Sequence, residues 1–146
     1  MRRLLGLAAL LAATSAIAAL PPFRMVMTPE EGPLDPAVER RYTPALKACQ
    51  DQAATTDDNA RCYQAEAARQ DAALNRTWRA LQPGLPAPRK GELLASQRRW
   101  LAARDPFCTK VADEFTGGTI HSLIWFNCQA EQAIRRTMWL EQVAGR

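Results

Sequence analysis

The chain has 146 residues, with 19 basic against 15 acidic, a single histidine, ten prolines and four cysteines; that is the size of one globular domain with an irregular beginning. Two of the basic residues, Arg2 and Arg3, belong to a leader-like start that contains no acid, and what remains is close to neutral, which argues against the basic stripe that nucleic-acid binding needs. One histidine and widely spaced cysteines also argue against a zinc ribbon, so neither a metal nor another cofactor is expected.

The first twenty residues, "MRRLLGLAALLAATSAIAAL", place two arginines before an apolar run from Leu4 to Leu11 and close on the small residues Ala16-Ile17-Ala18. This is the layout of a secretory signal peptide, assigned to residues 1–19. The apolar run is too short, and too soon followed by Pro21-Pro22, to span a membrane. The mature chain is therefore expected to be periplasmic or secreted, without a membrane span, in a compartment where disulfides persist. Residues 20–42 hold five prolines and no sustained period. They read as a Pro-rich extended arm with one helical turn after Asp35-Pro36.

A helical domain is expected over 43–143. Thr43 is placed as an N-cap with Pro44 at the first helical position, opening a short helix that carries Leu46 and Cys49 and ends near Ala54. The run "TTDDN" caps a second helix over about 58–81, in which Tyr63, Ala67, Leu74, Trp78 and Leu81 recur at helical intervals. "PGLPAPRK" is a polar connection in which Arg89 and Lys90 read as solvated charges. A third helix is expected from about Gly91, with Leu93, Gln97, Trp100, Arg104, Phe107 and Val111 on one stripe and Leu94, Leu101 and Cys108 on its neighbour. Pro106 predicts a kink, or an end and restart. Gly117-Gly118 suits a left-handed C-cap, and Thr119 opens the last helix, about 120–143. The expected fold is all-α: a small disulfide-fastened bundle built on an antiparallel helical hairpin, with three long helices and one short.

Polar residues on the inner stripes need partners. A short connection makes helices two and three antiparallel, which levels Asp71 with Arg104 and Asn75 with Gln97. An Asp71–Arg104 ion pair and an Asn75–Gln97 hydrogen bond, covered by Trp78 and Trp100, would satisfy groups that cost about 1–3 kcal/mol each when buried alone. Asp71, Asn75, Gln97, Trp100 and Arg104 are thus assigned to a structural polar core, while Asp105, on another stripe, caps or pairs locally. The cluster holds no nucleophile, no general base with a reason for a raised pKa and no metal set, so no catalytic residue is assigned and the chain is read as a non-enzyme. Cys49, Cys62, Cys108 and Cys128 gather at the end opposite the "PGLPAPRK" turn. Two pairings fit: Cys49–Cys62 with Cys108–Cys128, which is favoured, or Cys62–Cys108 with Cys49–Cys128.

From Cys49 to Arg136, the succession of Asp71, Leu74, Asn75, then Gln97-Arg98-Arg99-Trp100, Arg104-Asp105, Cys108, Gly117-Gly118 and Cys128 resembles the LprI-type lysozyme-inhibitor domain of bacterial exported proteins. The resemblance covers about Tyr42 to Leu140 and implies a helical envelope protein. Trp78 stands where the family usually has another aromatic, and Pro106 where it has an ordinary helix former. By this resemblance the chain is expected to bind a partner, either lysozyme or another exported protein. Lysozymes cut with a pair of carboxylates in a cleft, which basic side chains or a protruding loop would reach; Arg98 and Arg99, and the corner formed by Thr116, Gly117, Gly118, Thr119 and His121, are the candidates. The alternative is a periplasmic structural or interaction module without inhibitor activity.

Overall fold

The computed structural model describes residues 19–25 and 35–144. The leader expected over 1–19 lies, apart from Ala19, outside them, as do residues 26–34 of the arm. Five α-helices follow in order: α1 (Pro36–Glu39), α2 (Pro44–Gln50), α3 (Thr56–Leu81), α4 (Ala87–Ala112) and α5 (Ile120–Ala144). Every regular element among the described residues is helical.

Local chemistry explains most boundaries. The Asp35 carboxylate accepts the Ala37 N–H at 2.9 Å and starts α1. Thr55 and Asp58 form a reciprocal capping box at the head of α3. Thr43 stands at the N-cap position of α2 but makes no side-chain cap; its hydroxyl donates instead to Glu66 Oε2 at 2.6 Å. Helix α4 begins at Ala87, four residues before the expected Gly91, because Pro88 falls in its first turn, where a missing N–H costs nothing. Arg89 is consequently a buried helical residue, 3.3 Å from Glu92, and not a solvated charge of the connection. Helix α4 also runs through Pro106 to Ala112 without ending and restarting. Ala102, whose carbonyl loses its N–H partner, lies on the exposed side with Pro106, where water can serve it. Gly117 takes a left-handed φ of 87° at the corner before α5.

Packing departs from a simple hairpin. α3 and α4 are joined at one end, but the close backbone approaches are those of α5 with α3 and with α4, and not of α3 with α4. Ala60 and Ala67 on α3, and Ala130 and Ala133 on α5, are buried; small side chains at a helix contact shorten the interaxial distance. Helix α5 is consequently enclosed on nearly all sides from Cys128 to Leu140, and takes Gln129, Glu131, Gln132, Arg136 and Thr137 out of water with it. The apolar core of Leu74, Leu93, Trp100, Trp139, Leu140 and Val143 lies toward the α3–α4 connection. Leu20, Phe23 and Met25 pack against this core in an extended run, with Phe23 edge-on to Trp139 at 6.1 Å.

The opposite end carries the covalent links. Cys49–Cys62 joins α2 to α3, and Cys108–Cys128 joins α4 to α5. Closing loops of 13 and 20 residues, each stabilises by about 3 kcal/mol in the chain-entropy account. No cysteine is left as a free thiol.

Candidate binding site around Arg136

Four helical positions on α4, Ser96, Gln97, Trp100 and Arg104, form a rail whose polar groups turn in different directions. Arg104 reaches α3, with Nη1 2.5 Å from Asp71 Oδ1 and its guanidinium 5.0 Å from the Trp100 ring. Gln97 reaches α5 instead: its Oε1 accepts from Arg136 Nε at 2.9 Å. The expected Asn75–Gln97 bond therefore does not form, and Asn75 is exposed, outside the polar core. The reason is the position of α5, which packs closely against both helices while α3 and α4 do not approach each other closely. Asp105, on the adjacent stripe, accepts from Gln129 Nε2 at 3.0 Å and so ties α4 to α5.

Arg136 is the largest fully buried side chain, at 1% exposure. Nε donates to Gln97, Nη2 donates to Ser96 Oγ at 2.9 Å, and the guanidinium faces the rings of Trp139 at 4.2 Å, Phe23 at 5.2 Å and Trp100 at 5.8 Å. Those contacts are neutral. Burial, and to a lesser extent the nearby charge of Arg99, lower its pKa to about 10, with no carboxylate acting in the other direction. The group is still protonated at neutral pH, and among the described residues it has no counter-ion. Cation–π attraction offsets part of the desolvation cost, on the order of 2 kcal/mol for a desolvated pair.

Glu66 on α3 is the contrasting centre. It is fully buried, yet it accepts from Thr43 Oγ1, Gln70 Nε2, Thr43 N and Arg69 Nε at 2.6, 2.7, 2.9 and 2.9 Å. Desolvation pushes its pKa up, but these donors outweigh it and the carboxyl lies below its ordinary value. The centre locks the start of α2 to α3.

The residues proposed for partner contact are scattered. Arg98 and Arg99 are both exposed but open onto different sides of α4. Arg98 borders a groove between α3 and α4 with Asn75, Trp78, Leu94 and Leu101, whereas Arg99 borders a cavity with Ser96, Trp100 and Arg136. The Thr116–His121 corner lies beyond the far end of α4, and the 13 residues from Arg99 to Ala112 correspond to about 20 Å of helix. There Thr116 Oγ1 donates to Asp113 O at 3.1 Å and His121 Nε2 lies 3.0 Å from Asp113 Oδ1, which fastens the corner on itself. Arg136 was legible in sequence only as a helical arginine among large apolar residues; its role comes from the cage that closes on it.

No helix among the described residues is long and apolar enough to cross a membrane, and no group of three metal-ligating side chains occurs among them. Neither a curated protein nor a solved structure matches the chain. A family model described as "Lysozyme inhibitor LprI" matches residues 48–140, the span that holds both disulfides, the Asp71–Arg104 pair and the Arg136 cage. The chain therefore belongs to the LprI lysozyme inhibitor family.

Proposed function

We propose that this protein is exported to the periplasm or beyond and binds a lysozyme-type peptidoglycan hydrolase through the solvent side of α4, blocking its cleft. The observation that carries the reading is the stripe Leu94–Arg98–Leu101. Leu94 and Leu101, at 37% and 49%, are the exposed large apolar residues among those described, and an exposed arginine stands between them at helical spacing. Apolar anchors beside arginine are the composition of binding hot spots, and a cationic ridge is complementary to a cleft that works with two carboxylates. Family membership, the signal-like start and two disulfides support export and inhibition; the paired cysteines leave no thiol nucleophile for an enzyme.

Purified mature protein, added in excess to lysozyme acting on a suspension of cell walls, is expected to slow the loss of turbidity. Leu101→Asp together with Arg98→Ala is expected to abolish that protection while leaving the melting temperature unchanged. Unprotected walls at excess wild-type protein would remove the inhibitor reading and leave the interaction-module alternative.

A further inference from the structure

We infer that the cavity between Arg99 and Arg136 is a binding site for a carboxylate carried on a small organic frame. The cavity measures about 250 Å³ and lies between α4, α5 and the extended run before α1, on the opposite side of α4 from the Leu94–Leu101 groove. It stands whether or not the chain inhibits lysozyme.

Two positive charges meet at this cavity. Arg136 is 1% exposed and its Nε and Nη2 are engaged by neutral oxygens. Nη1 has no partner among the described residues and is not sealed from solvent. Arg99 stands on the same cavity, is exposed, and makes no ion pair among the described residues. A buried ion is normally paired, because desolvating a lone charge costs more than neutral contacts return. The same fold surrounds Glu66 with four donors, so the want of a counter-charge for Arg136 among the described residues is a local property.

Unused hydrogen-bond donors also line the cavity. The Trp100 indole N–H is buried without an acceptor. Ser96 Oγ accepts from Arg136, which leaves its own proton available to donate. Around the cavity the unused capacity is therefore on the donor side: Nη1 of Arg136, the Ser96 hydroxyl and the Arg99 fork. An acceptor with two oxygens and a negative charge matches it, and guanidinium groups bind carboxylates through paired N–H donors. Phe23, Met25 and Trp100 supply apolar walls, which favour an organic carboxylate over a fully hydrated inorganic anion.

The probe is N-acetylglycine, a monocarboxylate of suitable size, titrated at constant ionic strength into the mature protein while tryptophan fluorescence is followed, since Trp100 and Trp139 flank Arg136. A saturable change is expected, with none from the neutral isostere N-acetylglycinamide. Arg99→Ala, at an exposed position that leaves the core intact, is expected to weaken binding at least about tenfold, the loss of one charged hydrogen bond. Four results would overturn the assignment: no saturable change in folded protein; equal affinity in Arg99→Ala; equal affinity for inorganic phosphate, which would mark an unselective positive surface; or much tighter binding by Glu30→Gln/Glu31→Gln, which would make the chain's own acids the occupant. Wall-protection activity enters none of these outcomes, so the site and the inhibitor reading fail independently.

Discussion

Glu66 on α3 and Arg136 on α5 are equally withdrawn from water, at 0% and 1% exposure, but only the carboxylate is met by charge and donors of the opposite kind. Four hydrogen bonds, one from Arg69, hold Glu66 ionised, whereas Arg136 rests on an amide, a hydroxyl and three aromatic rings. The difference separates two uses of a buried charge. Glu66 ties α2 to α3 and its environment is complete; Arg136 holds a positive potential at the edge of a cavity, where the described residues supply no anion.

The comparison is tested most severely at Glu66. Glu66→Ala strands the Thr43 N–H, Gln70 and Arg69, and is expected to cost about 3–5 kcal/mol, the range for removing one partner of a buried ionic cluster, measured by urea unfolding. The wild-type acid limb should carry the same signature. Donors hold the folded pKa below the ordinary 4.5, so as pH falls the unfolded chain takes up the proton first. Glu66's contribution is whole above about pH 4.5, declines below it, and is gone once pH passes the lower folded value. Glu66→Gln should flatten that limb, and an unchanged limb would show that Glu66 is not its source.

A smaller effect, of opposite sign, is expected at the second centre. Arg136→Met with Gln97→Leu removes the cation and its amide partner together. Uncompensated buried charge replaced by apolar volume is neutral or stabilising, by up to about 2 kcal/mol here, and the thioether keeps contact with the Trp139 and Trp100 rings. A loss as large as that of Glu66→Ala would erase the distinction between the centres. The smallest change is expected at Asp71→Ala. It breaks the bond to Arg104, but the Asp71 side chain is 42% exposed, so solvent screening holds the loss below about 1 kcal/mol.

Much of the frame was legible along the chain. Periods of three and four residues locate α3 and α4, the Gly117–Thr119 corner locates the start of α5, and the Thr55–Asp58 box and the left-handed Gly117 are local chemistry that a linear reading can see. The Asp71–Arg104 contact follows from the antiparallel run of α3 and α4, since a short connection levels residues about its midpoint. Other features were not legible for definite reasons. Prolines in "PGLPAPRK" look like breakers and put the expected start of α4 too late, although a proline in a first turn is compatible with helix. A two-helix picture leaves the stripe of Asn75 facing Gln97; the third helix, α5, offers Gln97 a different partner in Arg136. The run from Leu20 to Met25 has no period, yet its apolar residues pack on the core, because contact with Trp139 requires only reach and hydrophobicity.

The sequence by itself determined the long helices, the Thr55–Asp58 cap, the corners where cysteines meet and the family, since each depends on residues close in the chain or on motif spacing. Tertiary structure alone decided which helix became central. Small residues on α3 and α5 let those two approach closely, and that choice enclosed α5 with its polar residues. It turned Gln97 toward Arg136 and left an arginine, ordinary in the sequence, as a buried cation facing a cavity. Periodicity can say that a side chain points inward, but the partner it meets depends on how the helices stack.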